Sequence, residues 1–110
     1  MSDTQRATAI YIASPEGDTG KSTIALGILN RLVATAPRVG VFRPIVHDGD
    51  SRDYMLDLLL TRSTAGLSYA DCAGATYQEL HADADSAIVQ IVDRFHAVAN
   101  RCDAVVIVGS

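Results

Sequence analysis

A β-rich apolar run, a glycine-bearing loop and an amphipathic repeat follow one another at the start of this chain, and few folds accommodate that order. The run over residues 7–14 (Ala-Thr-Ala-Ile-Tyr-Ile-Ala-Ser) stops at Pro15 and reads as a buried strand. The loop carries Gly17, Asp18, Thr19, Gly20, Lys21, Ser22 and Thr23. Glycines at such a turn let the backbone point its N–H groups inward at a bound anion. A helix starting near Lys21 adds free donors and the positive end of its dipole. In this pattern Lys21 neutralises β- and γ-phosphate oxygens and the Ser22 hydroxyl ligates Mg²⁺. The spacing departs from GxxxxGK[ST] at its first glycine, where Pro15 stands, and Gly17 is expected to supply the missing flexibility. The competing reading is a glycine turn with an incidental Gly-Lys-Ser and no ligand.

Ile24, Ile28, Leu29 and Leu32 recur at helical spacing after the loop and predict a core face, with Pro37 closing the helix. Residues 38–46 predict a second strand in which Pro44 ends regular pairing. A polar loop over 47–52 leads to a helix on Tyr54, Met55, Leu58 and Leu59. Leu56 and Leu60 make that helix apolar around most of its circumference. Gly66 is a candidate stop, and Ser68 with Asp71 and Thr76 with Glu79 have capping-box spacing. The last helix shows Ile88, Ile91, Val92, Phe95, Val98 and Ala99 as one stripe, with Gln90, Asp93 and Arg94 opposite. It leads into a third strand over 103–110, whose residues 105–108 are all apolar.

This alternation predicts an α/β fold, a P-loop NTPase-like three-layer parallel sheet with helices on both faces. Three strands are few for such a sheet, so the chain reads as truncated after the third, with residues 1–110 an incomplete N-terminal domain. The strand at 105–108 is expected inside the sheet, short of a neighbour if nothing follows it. The isolated segment is then expected to be marginally stable and prone to self-association.

At 110 residues the chain holds one domain at most, and 48% hydrophobic content suits a packed core. Its net charge of −4, with lysines and arginines scattered singly, leaves no basic stripe for nucleic acid. The polar N-terminus does not read as a signal peptide, and the aliphatic runs are too short to span a membrane. Cys72 and Cys102 are too far apart for a CxxC motif and read as buried thiols of a cytoplasmic protein.

Asp53 opens the helix after the second strand, either reaching a metal held by Ser22 or serving the helix dipole. His81, Asp83 and Asp85 resemble a metal cluster, but Asp83 and Asp85 precede the last helix and read as its caps rather than as ligands. His47 and His96 are isolated from any nucleophile, so no catalytic residue is assigned.

The stretch from Ser14 through Thr23 (Ser-Pro-Glu-Gly-Asp-Thr-Gly-Lys-Ser-Thr), followed by Val41-Phe-Arg-Pro-Ile45, resembles the dethiobiotin-synthetase-like branch of P-loop proteins. That branch also displaces the first glycine of the motif, which accommodates Pro15. The resemblance implies a magnesium-site carboxylate at Asp53. Arg43 stands where the branch carries a lysine beside its substrate, a departure from carboxylation chemistry.

Over nearly the whole chain, Gly66-Leu-Ser-Tyr69, Thr76-Tyr-Gln-Glu-Leu-His81, Asp93-Arg-Phe-His96 and the segment from Cys102 resemble the N-terminal domain of long, actinobacterial-type phosphate acetyltransferases. That resemblance implies acetyl transfer between coenzyme A and phosphate in a separate C-terminal acyltransferase domain, where acetyl-CoA would bind. None of its acyltransferase residues lies in this chain. It implies a regulatory and assembly role for the P-loop domain, with ATP and Mg²⁺ as candidate ligands at residues 17–23 and Asp53. The implied partners are a nucleotide or phosphate anion, the remaining domains of the parent and further copies of the chain. An ATP-dependent synthetase of the dethiobiotin type, or a structural domain with a relic loop packing through the Tyr54–Leu60 helix, are the alternatives.

Overall fold

The computed structural model describes residues 7–13, 20–47 and 52–109. Strand β1 (Thr8–Ile12) leads to helix α1 (Lys21–Val33) and strand β2 (Val39–Val46). Helices α2 (Tyr54–Leu60) and α3 (Tyr69–Cys72) precede strand β3 (Ala73–Thr76). Helices α4 (Tyr77–Ala82) and α5 (Ala84–Ala99) then lead to strand β4 (Ala104–Val108). The strands form one parallel four-stranded sheet in the order β1-β4-β2-β3. Parallel neighbours need crossover connections, which the helices supply. Among the described residues no helix is long and apolar enough to cross a membrane.

The sheet separates two apolar layers. On one face Ala25 and Leu29 of α1 and Leu56 and Leu59 of α2 pack with Ile12, Val39, Val41, Val106 and Val108. On the other, α5 lays Ile91, Phe95 and Val98 on Phe42 and Val105, with the Phe42 and Phe95 rings edge to face at 5.6 Å. The three-layer α/β fold expected from the sequence is therefore present, with β4 inside the sheet.

Several details differ from the sequence reading. β4 lacks no neighbour. Ala104 pairs with Thr8 of β1 on one side and with Val39 of β2 on the other, so the outer strands are β1 and β3. Pro44 does not end β2; the strand changes partner there. Its ladder to β4 runs through Phe42, and its ladder to β3 begins at Arg43, so the proline falls past the β4 ladder, where its missing N–H costs that ladder nothing. β3 itself is Ala-Gly-Ala-Thr, too small and too short to announce a strand by apolar alternation. A Cβ at Gly74 would run into the Pro44 carbonyl oxygen, so glycine permits this close pairing.

Helix phase also differs. In α1 the expected Leu29 is buried and Ile28 and Leu32 pack against the core, but Lys21 and Ala25 complete the buried row and Ile24 is 56% exposed. α1 ends at Val33, with Ala34 as its C-cap, before Pro37 is reached. In α5 the buried positions are Ala87 and Val98, and Ile88 and Val92 of the expected stripe lie exposed. Gln90 and Arg94 instead turn toward the outer strand. Gln90 Nε2 donates to the Gly74 carbonyl at 2.9 Å, and Arg94 Nη1 donates to the Ala73 and Gly74 carbonyls at 3.1 Å. Both predicted capping boxes form, at Ser68 with Asp71 and at Thr76 with Glu79. Asp83 caps α5 by accepting from the Ser86 N–H at 3.2 Å, and that bond holds its carboxyl below the ordinary range.

Cys72 and Cys102 are buried free thiols. Desolvation pushes the Cys72 thiol up to about 12, and burial raises Cys102 in the same direction. Because the folded value lies above the unfolded value of 9.0, this contribution to stability is complete below about pH 9 and is lost as pH climbs toward 12. Neither thiol is expected to react with an aromatic disulfide reagent at pH 8 in the folded chain, and both are expected to react in denaturant. Rapid labelling of either in the native state would contradict the burial.

Candidate phosphate-binding site

The site grows from the start of α1. Gly20 is the N-cap residue and holds φ 73° and ψ 6°, the left-handed conformation that favours glycine. Among the described residues no side chain caps this helix, and its first turn contains no acidic residue. The first intrahelical bond runs from the Ile24 N–H to the Gly20 carbonyl at 3.0 Å. The amides of Lys21, Ser22 and Thr23 therefore precede the helical ladder, at the positive end of the helix dipole. Gly17, Asp18 and Thr19 lie outside the described residues.

Lys21 is only 4% exposed. Its Nζ donates to the Gly109 carbonyl at 3.0 Å, just past β4. Arg43, on β2, reaches the same place: its Nη1 donates to Gly109 O at 3.1 Å and Val108 O at 3.4 Å. Its Nε donates to Asp53 Oδ2 at 2.9 Å. Adjacent parallel strands thus bring a lysine from α1 and an arginine from β2 together at the carboxyl end of the sheet, where open α/β sheets form ligand crevices.

Asp53 is 1% exposed and hydrogen-bonded through both carboxylate oxygens. Oδ1 accepts from the Leu56 N–H at 3.1 Å, which caps α2. Oδ2 accepts from Arg43 and, at 3.4 Å, from the His47 N–H. The Asp53 N–H donates to the Tyr69 hydroxyl at 2.7 Å, and the Tyr69 ring lies 3.9 Å beneath the Arg52 guanidinium. Ser22, Arg43, His47, Asp53, Tyr54 and Met55 line an adjoining cavity of about 320 Å³.

Of the residues expected at the site, Lys21 and the Arg43–Asp53 pair share the Gly109 terminus, and Ser22 and Asp53 share the cavity. Thr23 is exposed. The free amides and clustered cations fit a phosphate group. A hydrated magnesium ion needs few protein oxygens, and Asp53 Oδ1, which accepts only from the Leu56 N–H, keeps a lone pair in the cavity that Ser22 also lines. This carboxylate is buried and already accepts three hydrogen bonds.

A second hollow of about 300 Å³ lies beside the first, between β3, α3 and α4, and shares His47 with it. Its polar groups are spent internally: Arg94 on β3 carbonyls and Glu79 on the α4 cap.

A family model described as an AAA domain matches residues 8–110, nearly the whole chain. The chain belongs to that AAA-domain family. This AAA domain is also similar to named proteins. It is 30% identical over 110 residues to a phosphate acetyltransferase of Synechocystis sp., covering 94% of this chain and 16% of that protein. It is 31% identical over 72 residues to a phosphate acetyltransferase of Nitratidesulfovibrio vulgaris, covering 64% of this chain and 10% of the relative. The chain thus spans only a small part of the length of these curated relatives. Sequence reasoning placed the AAA domain's lysine and serine, but gave no role to Gly109, whose carbonyl gathers both cations. Two buried cations converging on one strand end become visible only once β4 is seen between β1 and β2.

Proposed function

We propose that this AAA domain is the N-terminal P-loop domain of a cytoplasmic phosphate acetyltransferase, the enzyme that interconverts acetyl-CoA plus phosphate with acetyl phosphate plus CoA. In this reading the domain binds the phosphates of a nucleotide, or a simpler phosphate anion, and regulates acetyl transfer carried out elsewhere in the parent chain. The observation that carries the reading is the uncapped start of α1 behind a left-handed Gly20, with Lys21 and Arg43 gathered beside it. Backbone amides, a helix dipole and two cations at one point support an anion site, and among the described residues no nucleophile is paired there with a base for acyl chemistry. Acetyl-CoA belongs to the remaining domains.

The test is acetyl phosphate formation by the full-length gene product, with ATP titrated against fixed acetyl-CoA and phosphate. The full-length protein is expected to be active and its rate to respond to ATP. Lys21→Ala is expected to keep the basal rate while losing the response. A response that survives Lys21→Ala would remove the loop from regulation, and an inactive full-length product would remove the phosphate acetyltransferase assignment.

A further inference from the structure

We propose that the outer edge of β1 and the apolar groove beside it seat a helix and a parallel strand that follow β4 in the parent chain. The inference needs a parent longer than this domain, as the relatives are. It does not need that parent to bind phosphate or to transfer acetyl groups.

The two edges of the sheet are built differently. β3 is four small residues, and Gln90 and Arg94 donate to its Ala73 and Gly74 carbonyls. Covering of this kind keeps an edge strand from pairing. β1 is Thr-Ala-Ile-Tyr-Ile, with no charge and no proline. In a parallel ladder one residue turns its N–H and C=O to one neighbour, and the next residue turns both the other way. The Thr8 N–H donates to the Asp103 carbonyl at 3.1 Å, and the Gly109 N–H donates to the Ile12 carbonyl at 2.9 Å. Thr8, Ile10 and Ile12 therefore address β4, and Ala9 and Tyr11 turn their backbone groups to the open edge. Among the described residues no strand pairs with β1 on that side.

Side chains alternate with the backbone. Ile10 and Ile12 pack in the α1 layer, which puts Ala9 and Tyr11 on the α5 face. There Ala9 is exposed and Tyr11 is 61% exposed. α5 packs across β3, β2 and β4 and leaves Tyr11 uncovered. Its Gln90 and Arg94 reach β3, so at 3.6 residues per turn Ile88 and Val92 project from the opposite flank, toward β1. Both are exposed. With Ala9, Tyr11 and the half-buried Ile107 they bound one apolar groove.

Crossover handedness selects the occupant. The step from β1 to β2 crosses the sheet one way with α1 on one face. The step from β3 to β4 returns the other way with α5 on the opposite face, so both steps have the same hand. A further step from β4 past β1 continues in the β3-to-β4 direction. The same hand then lays its helix on the α5 face, over Tyr11, and its strand along Ala9 and Tyr11.

The experiment is hydrogen exchange of the full-length gene product, resolved at the single amides of β1. Ile10 and Ile12, paired to β4, are the internal reference. Ala9 and Tyr11 are expected to exchange within about tenfold of that reference at every protein concentration. Fast exchange at Ala9 and Tyr11 beside slow exchange at Ile10 and Ile12 would overturn the proposal. Protection that disappears as dilution separates copies would assign the edge to a second copy and overturn it as well.

Thermal midpoints of two full-length variants test the groove separately. Val92→Asn is expected to lower the midpoint by several degrees more than Val89→Asn, which loses the same helix propensity on the exposed outer face of α5. Equal midpoints would leave the groove open and remove the helix from the proposal. Neither readout uses phosphate or acetyl-CoA, so either can fail without bearing on the phosphate acetyltransferase reading.

Discussion

Asp53→Ala is expected to cost the chain about 3–5 kcal/mol of folding stability, the penalty for leaving a buried partner charge unpaired. The substitution also removes the α2 cap, worth about 1 kcal/mol. Typical domains hold only about 5–15 kcal/mol in total, so this single change should bring the domain close to unfolding. The cause is Arg43, 7% exposed and bonded to Asp53 at 2.9 Å. Without the carboxylate its guanidinium keeps only neutral carbonyl acceptors. The companion variant Arg43→Met/Asp53→Ala removes the stranded charge and is expected to recover most of the loss apart from the cap. Urea unfolding of both variants against wild type checks this. A single variant within 1 kcal/mol of wild type would show that the pair is better solvated than its geometry states.

Lys21→Ala is expected to weaken tripolyphosphate binding by roughly ten- to a hundredfold, since a hydrogen bond to a charged group is worth about 1.5–3 kcal/mol. Its effect on stability should be smaller than that of Asp53→Ala. The Gly109 carbonyl keeps Arg43 Nη1 as a donor at 3.1 Å when Lys21 is gone, so no buried acceptor is orphaned. Calorimetry gives the affinity and a thermal midpoint gives the stability. Unchanged affinity would identify the bond from Lys21 to Gly109 as structural only, and a collapse of the midpoint would show that Lys21 holds β4 in place.

The start of α1 and the layer order were legible because each rests on local signals. Gly20 next to Lys21 can be read from residue type alone, and both capping boxes follow from spacing. The Tyr54–Leu60 helix appears where its leucines lie. β3 was not legible, since Ala-Gly-Ala-Thr carries no alternation and its pairing depends on the room Gly74 leaves at Pro44. The α5 stripe was legible in part: Ile91, Phe95, Val98 and Ala99 pack on the sheet, while Ile88 and Val92 do not. Apolar count favoured Ile88 and Val92, whereas the sheet edge recruits Gln90 and Arg94 to its carbonyls. Asp53 was read from the sequence as either a metal-site or a helix-dipole residue. Only the fold, which brings β2 beside β4 and α2 over their ends, shows that its partner is an arginine.

Hydrogen exchange of the full-length gene product, with and without tripolyphosphate, tests most directly whether this loop is a phosphate site. The account predicts slowed exchange at the amides of Lys21, Ser22 and Thr23, which precede the α1 ladder and face no side-chain cap. The slowing should vanish in Lys21→Ala. Unchanged exchange at those amides under saturating ligand, or protection confined to the second hollow around Gly74 and Arg94, would contradict it.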